Sequence, residues 1–397
     1  MSKPTMSPVV PLRRSIQSLL QDKILEAVEL VLEEELTAVL GSDSYARVEG
    51  RRGYRNGVIK RRVTTPLGTR EVRVPRGRIH EPDGSSREHR SEILPRYARR
   101  VRQVDDAILS CYLAGVNSRR IRKALEPLLG GEHLSKSSVS RVVARLKEHF
   151  AAWTSRDLSA ELYNIIYLDG FHLKVRMARR VVSVPVLAVL GVNNDGQKRL
   201  VALRLAVSES GRCWGDLVND LHRRGLPTPQ LVVTDGHTGL RKAMELWPEA
   251  KIQRCTQHKR QNLMDHCPVH ARPELKRDYQ RIVFAEHGMA ARSAYKEVLK
   301  KWQRLCPSVA RSLEEGGSEL LTFYEFPKAL WKSIRTTNVI ECINREFRRR
   351  TKTQASFSTE AAGLTLLYGL VAFGQIQFRR IDGWKAMRQL VAHEVAA

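Results

Sequence analysis

The spacing of apolar positions changes character along the chain. Residues 14–40 carry apolar side chains three and four apart, which predicts one amphipathic helix that suits an oligomerisation element. Residues 51–78 are dense in arginine and predict two short strands, 57–65 and 69–75. Residues 104–148 return to helical periods and predict three helices, of which the last two resemble a helix-turn-helix.

From about residue 157 the pattern becomes that of buried strands. Three apolar runs follow one another without an intervening helix, which indicates an antiparallel meander; a helix over 212–224 and one more strand then enlarge the sheet. The predicted strands are 163–169, 182–193, 199–208 and 231–235. Residues 256–333 show only helical periods. The predicted fold is therefore α/β, a ribonuclease-H-like mixed sheet with an inserted all-helical subdomain.

The charge balance narrows the class of partner. The 397 residues include 68 Lys+Arg against 42 Asp+Glu, for a formal net charge of +26. Such an excess favours a polyanion, because each neutralised phosphate releases condensed counterions. A basic ribosome-associated protein would show the same charge. An apolar fraction of 42% excludes a disordered basic tail protein.

The cysteines and apolar runs bear on location. Six cysteines are scattered through a long chain, which suits a reducing compartment better than a disulfide framework. The first residues contain no apolar signal core, and the longest apolar runs are too short to cross a bilayer. We expect a cytoplasmic protein with access to the chromosome and no membrane partner.

Three acidic residues carry the candidate chemistry. Asp169 ends the run YNIIYLD and Asp235 ends LVVTD, so both are predicted at strand ends, where α/β sheets bind ligands. Each is followed by glycine, and a single Asp-Gly is usually only a turn. Two at strand ends could share a hard cation through their oxygens, and paired cations act on phosphodiesters.

Glu341 lies in a predicted helix. Val339, Ile343 and Phe347 recur four apart and form an inward stripe, from which Glu341 points away. A simple ion pair between Glu341 and Arg345, four residues on, explains the same spacing. Both interpretations stay open on the pattern alone.

Basic residues near these elements are candidates for contact with DNA. Each group also suits a solvated basic face or, for the predicted helix over 135–150, an ordinary three-helix packing unit. The candidates are Arg70, Arg73 and Arg76 in the second predicted strand, Arg141, Arg145 and Lys147 in that helix, and Arg345, Arg348, Arg349, Arg350 and Lys352 after the glutamate.

Four further residues are predicted near the site or as structural supports: Cys255, His258, His237 and Asn338. Cys255 and His258 also begin a C-x₂-H-x₈-C-x₂-H pattern that ends at Cys267 and His270. Two Cys and two His can bind structural zinc. The short linker and its helical pattern argue against zinc, and packing or hydrogen bonding near the site is the preferred interpretation.

Four motifs occur in order: YLDGFHLKVR, TDGHTGLRKA, QRCTQHKRQNL and IRTTNVIECINREFRRRTK. Together with YRNG, LGTREVRVPR and LPRYARR, they closely resemble the bacterial insertion-sequence transposases related to Mutator elements, from about residue 50 to 380. The resemblance implies a ribonuclease-H-like fold with a helical insertion before the glutamate. It also implies that Asp169, Asp235 and Glu341 form a DDE triad that binds Mg²⁺ or Mn²⁺, with two ions per site.

The function implied is metal-dependent cleavage and transfer of DNA strands at terminal inverted repeats. A homodimer or higher oligomer is expected, since two DNA ends must be brought together. The alternatives are a nuclease with the same sheet and a non-catalytic DNA-binding regulator. The sheet domain is predicted to follow a basic, mainly helical N-terminal DNA-binding region. The predicted segments are a helical segment at 1–50, a basic DNA-binding region with helix-turn-helix-like helices at 51–150, the first part of the catalytic domain at 151–255, the helical insertion at 256–333 and the completion of the catalytic domain with C-terminal helices at 334–397.

Overall fold

The structure is a computed structural model with two compact units, Met1–Arg145 and Leu146–Ala397. The described residues are 9–46, 48–65, 68–96, 100–116, 118–126, 129, 134–177, 179–206, 210–236, 244–352, 357 and 359–390. They contain α-helices and two β-sheets, a mixed α/β architecture. No helix among them is long and apolar enough to cross a membrane.

The first unit begins with a long helix packed on a small sheet. Helix α1 (Val9–Leu40) contacts an antiparallel sheet of β1 (Gly53–Thr65), β2 (Gly68–His80) and β3 (Ser86–Glu88). Leu32 of α1 is buried against Val63, Val72 and Val74. The predicted helix and the two arginine-rich strands are confirmed. Both strands are longer than predicted, because backbone pairing continues through Gly, Arg and Asn positions that carry no apolar signal.

Three helices complete the first unit: α2 (Arg102–Leu113), α3 (Ser118–Leu125) and α4 (Lys136–Ser155), the last of which continues past residue 145. Their shared core includes Ile108, Ile121 and Val139. The Ser135 hydroxyl accepts a hydrogen bond from the Ser138 amide at 3.2 Å, so it caps α4.

The second unit is built on a five-stranded sheet in the order β6-β5-β4-β7-β8. Strands β4, β5 and β6 form the predicted antiparallel meander, and β7 and β8 add on the other side of β4, parallel to it. The bounds are β4 (Ile165–Met177), β5 (Arg180–Val192), β6 (Lys198–Leu205), β7 (Leu231–Thr234) and β8 (Lys251–Arg254), with α5 (Gly211–Arg223) between β6 and β7.

Two strand predictions need correction. β4 does not end at Asp169 but continues to Met177, because Phe171, Leu173 and Val175 alternate with exposed polar residues and pair with β5. β8 was not predicted, since the sequence KIQR is short and half charged. It forms because its backbone pairs with β7.

Helices cover both faces of this sheet. Trp214, Leu217 and Leu221 of α5 pack on one face with Ile166 and Leu168. On the other face lie α11 (Asn338–Thr351) and α12 (Glu360–Ala372), which contact β4 and β6. The Phe171 and Phe347 rings, 5.7 Å apart, join β4 to α11.

Residues 256–333, all described, contain helices and no strand, as predicted. The helices are α6 (Thr256–His266), α7 (Arg272–Val283), α8 (Gly288–Leu305), α9 (Pro307–Gly316) and α10 (Trp331–Ile334), with short 3₁₀ turns between the last two. They have a core of their own around Leu275, Tyr279, Trp302 and Leu313. The segment is therefore a separately packed layer between β8 and α11.

Candidate active site

Asp169 and Asp235 lie side by side on neighbouring parallel strands. Leu168 of β4 pairs with Thr234 of β7, and the two aspartates are the next residues of each chain segment. Adjacent strands are about 4.8 Å apart, so the two carboxylates are neighbours. β7 ends at Thr234, whereas β4 continues. The aspartates therefore lie where the parallel pairing stops, and only Asp235 follows the end of a strand.

The environment of Asp169 is crowded with negative charge. Its side chain faces α11, the side of β4 that also presents Tyr167 and Phe171. Burial, together with the charges of Asp235 and Glu341, raises the Asp169 pKa to about 7. The Asn344 amide opposes this shift by donating to Asp169 Oδ2 at 2.7 Å. A cation nearby would therefore stabilise the ionised form of Asp169.

Glu341 lies in the first turn of α11, one turn before Asn344 and on the same side of the helix. The Thr337 hydroxyl donates to Glu341 Oε1 at 2.6 Å. The alternative ion pair with Arg345 does not form; Arg345 Nη2 instead contacts Cys342 Sγ at 3.4 Å. Glu341 therefore lies among the acidic side chains beside the sheet, with Asp169 and Asp235.

The buried stripe of α11 differs from the prediction. Ile340, Ile343, Asn344 and Phe347 are buried, and Val339 is only half-buried. A strict spacing of four drifts around a helix with 3.6 residues per turn, so the stripe follows alternating steps of three and four. The sequence therefore understated the importance of Asn344, a polar residue in an apolar stripe.

Cys255 and His258 join the site from the other side of Glu341. Cys255 is buried between β8 and α6, and His258 lies one turn further along α6. The Cys255 thiol, a His258 ring nitrogen and a Glu341 carboxylate oxygen lie within 4.8 Å of one another. His258 Nε2 is 3.9 Å from Glu341 Oε1. Asp169 and Asp235 are not part of this group of three. The carboxylates of Asp169, Asp235 and Glu341 therefore do not all lie within 4.8 Å of one another.

Hydrogen bonding sets the ionisation of this pair. Burial would raise the Cys255 pKa, but hydrogen bonds with His258 and Thr337 outweigh burial and lower it. The hydrogen bond with Cys255 raises the His258 pKa to about 9, helped by the charges of Cys255, Glu341 and Asp235 against burial. A positive charge therefore lies beside the carboxylates at neutral pH.

Cys267 and His270 do not join Cys255 and His258. His258 lies in the first turn of α6, and Cys267 follows the last residue of that helix, nine positions on and about 13.5 Å away at 1.5 Å per residue. Cys267 packs into the helical core, and His270 is exposed. The four-residue zinc pattern is thus not assembled. All six cysteines are free thiols.

Arg254 holds the turn that follows Asp235, a role that sequence reasoning missed. The side chain is buried, and its Nη2 donates to the Gly236 carbonyl at 3.0 Å. Its Nη1 donates to the Glu315 carbonyl at 2.7 Å and to Glu315 Oε1 at 2.8 Å. Glu315 also pairs with Lys259 Nζ at 2.5 Å. Arg254 therefore binds the turn after Asp235 to α9. In the sequence, only the position of Arg254 beside Cys255 in the QRC motif indicated such a role.

Gly236 fits this support because it has no side chain. Its φ is +86°, a conformation that favours glycine. A Cβ there would lie 2.0 Å from Arg254 Nε. His237, the next residue, lies outside the described part of the chain. Asn338 is exposed, and its Oδ1 accepts from the Cys342 thiol at 3.7 Å; its place near the site stays a prediction.

The candidate DNA contacts of β2 and α4 differ in whether they already form an ion pair. Arg76 pairs with Glu88 at 2.6 Å, and Arg145 pairs with Asp105. The remaining candidates are exposed: Arg70, Arg73, Arg141 and Lys147. They stay predictions.

The basic run of α11 is mostly exposed in the same way. Arg349 pairs with Glu346 at 2.6 Å, and half-buried Arg350 donates to the Gln375 carbonyl at 3.4 Å. Arg345, Arg348 and Lys352 are exposed. These too stay predictions.

A family model described as "Transposase, Mutator family" matches residues 10–380. The chain belongs to this family. It is 32% identical over 353 residues to the transposase of insertion sequence IS905 from Lactococcus lactis, covering 88% of this chain and 87% of that protein. It is 32% identical to the ISRM5 transposase of Rhizobium meliloti, with 95% and 93% covered. For the IS1081 transposase of Mycobacterium tuberculosis the identity is 31%, with 97% and 90% covered. The resemblance seen in the motifs is thus confirmed for this Mutator-family protein.

Proposed function

We propose that this protein cleaves DNA strands at the ends of its element and joins them to target DNA through Asp169, Asp235 and Glu341. One observation carries the proposal: the two aspartates follow paired positions of adjacent parallel strands, and α11 brings Glu341 close enough to raise the Asp169 pKa. Family membership supports the reaction class.

The sheet order supports a ribonuclease-H-like catalytic domain. Three antiparallel strands are followed by two strands parallel to the first, on its other side. The helical segment then separates β8 from the Glu341 helix. We assign residues 151–255 and 334–397 to this domain, 256–333 to the insertion, 51–150 to DNA recognition, and the helical segment 1–50 to either assembly or DNA binding.

The donor set fits divalent cations. Three carboxylates offer hard oxygen ligands, and after burial the charges of Asp235 and Glu341 raise the Asp169 pKa. Asn344 Oδ1, next to Asp169, is buried and accepts no hydrogen bond from a described residue. We expect two ions per site, since paired cations act on phosphodiesters.

Asp169, Asp235 and Glu341 would hold two Mg²⁺ or Mn²⁺ ions, which supply activation of the attacking oxygen and stabilisation of the leaving oxygen. The chain's other residues orient these ligands. Asn344 fixes the Asp169 carboxylate, Thr337 fixes Glu341, and Arg254 holds the backbone after Asp235. His258 offsets part of the negative charge.

The substrate is double-stranded DNA, both element ends and target. The net charge of +26 and the exposed arginines of β2, α4 and α11 support this assignment. The protein would act as a homodimer or higher oligomer, because each of two ends needs an active site.

The test is cleavage and joining of DNA that carries the element's own ends, with Mg²⁺. Asp235→Asn should abolish joined product, whereas Asp265→Asn, an exposed aspartate of α6, should retain it. Cleavage without joining in the wild type would indicate the nuclease. Binding of the ends by both variants with no cleavage by the wild type would indicate the regulator.

A further inference from the structure

A cleft of 950 Å³ lies in the second unit, at the end of the sheet where β4 begins. Its walls come from the end of α4, residues 160–163, the turn between β5 and β6, and the chain that follows α12. Asp169 is four residues into β4, about 13 Å along the strand from the residue at its start. The cleft is therefore separate from the carboxylate site and belongs to the same sheet.

Four cations line the cleft, and Arg380 among them lies over the Trp384 ring at 4.1 Å. Lys198, Arg199 and Arg380 line it, and none of them forms an ion pair with a described residue. The fourth cation, Arg156, is paired with Glu161 at 3.0 Å. Partial burial lowers the pKa of the Lys198 ammonium. The charge of Asp382 opposes this shift without forming an ion pair, so an incoming anion would stabilise the half-buried ammonium.

Aromatic rings form much of the remaining wall. Trp153 and Tyr368 line the cleft, their ring centroids 5.1 Å apart. Tyr163 and Phe378 line it as well, and Phe378 has no stacked ring among the described residues. Flat apolar rings beside unpaired cations are the combination that holds unpaired nucleic acid, since bases stack on aromatic faces while phosphates meet the cations.

We infer that this cleft binds unpaired nucleotides of a DNA strand, with phosphates at Lys198, Arg199 and Arg380 and a base against Phe378. Paired bases stack on one another inside a duplex and cannot reach the wall. The inference rests on the proposed function, because it takes DNA as the substrate. It adds a binding site for a strand segment away from the cleaved bond.

Charge is tested with two double variants in fluorescence anisotropy. The probes are a labelled single strand of about 12 nucleotides, within the site sizes known for such grooves, and its duplex. Lys198→Ala/Arg199→Ala should weaken single-strand binding and reduce the slope of log K against log salt by about 1.4, for two lost phosphate contacts. Duplex binding should change less than about twofold. Lys300→Ala/Arg304→Ala removes two exposed cations of α8 and should leave both probes unchanged.

Base recognition is tested at Phe378. Phe378→Leu should weaken binding of the single strand by about fivefold or more, and should not change binding of an abasic strand of equal length. Phe373→Leu, at a ring 42% exposed outside the cleft wall, is the matched control. An equal loss on the abasic strand, or in the control, would overturn the inference.

The outcomes separate this inference from the proposed function. Wild-type binding of both probes with no specific loss in the cleft variants overturns the cleft alone, and the joining assay of Asp235→Asn is untouched. Wild-type binding of neither probe overturns both. Equal losses for duplex and single strand show a general electrostatic surface and also overturn the cleft.

Discussion

At the scale of single residues, the surroundings of Asp169 shift its ionisation equilibrium toward the protonated form. Its pKa of about 7 in the folded chain compares with 3.8 for the ordinary carboxyl group. Between these values the folded state binds more protons than the unfolded state, so stability is lost as the pH rises from about 4 to 7. A pKa shift of three units corresponds to about 4 kcal/mol of unfolding free energy, which is lost in full above pH 7.

Without divalent cations, Asp169→Asn should therefore be more stable than the wild type at pH 8, and the difference should shrink as the pH falls toward 4. Chemical denaturation in EDTA measures it, with Asp265→Asn as the exposed control. Mg²⁺ should then stabilise the wild type and not Asp169→Asn. A pH-independent difference would contradict the assigned environment.

Thr337 orients Glu341 through one short hydrogen bond, and its side chain is buried. Thr337→Val keeps the shape and removes the donor. Because hydrogen bonds to charged groups contribute about 1.5–3 kcal/mol, strand joining should slow about tenfold or more. Thr337→Ser keeps the hydroxyl and should recover most of the rate. Equal rates for Val and Ser would show that the bond has no role in the reaction.

At the scale of elements, Glu315 of α9 neutralises two buried cations, Arg254 and Lys259. Glu315→Gln should cost about 2 kcal/mol of unfolding free energy, less than the loss of a fully buried partner because Glu315 is itself partly exposed. Urea denaturation measures the loss. Glu314→Gln, the exposed neighbour that accepts from Gln303, should change stability little. Equal losses of stability in the two variants would show that the effect comes from substitution within α9 and not from the pairing of Glu315 with Arg254 and Lys259.

The sequence predicted elements better than their ends. The meander, the helical segment and the helix of Glu341 follow from period-2 or helical patterns that span many residues. β8 and the second half of β4 do not, since they depend on pairing with strands distant in sequence. The roles of Asn344 and Arg254 were not predicted for a related reason. Asn344 binds Asp169 and Arg254 binds Gly236, and no local sequence pattern indicates partners so distant in the chain.

At the scale of the whole molecule, the net charge of +26 predicts strong salt dependence. If the protein contacts six or more phosphates, duplex affinity should fall about 10³-fold or more between 50 and 200 mM salt. Arg348→Ala, at an exposed position of α11, should reduce the salt slope by about 1. An unchanged slope in that variant would remove Arg348 from the DNA-contacting set.

The helical segment leaves and rejoins the sheet domain at nearly one point. The Thr256 amide and hydroxyl donate to the Arg335 carbonyl at 2.9 and 3.0 Å. Because closing entropy grows only slowly with the length of a closed segment, the length between these residues is weakly constrained. Evolution could lengthen, shorten or exchange this segment as a module and keep Asp235 and Glu341 in register. A replacement would need to return one carboxylate to Arg254, which lies outside the segment, a requirement that protein engineers could use as a design rule.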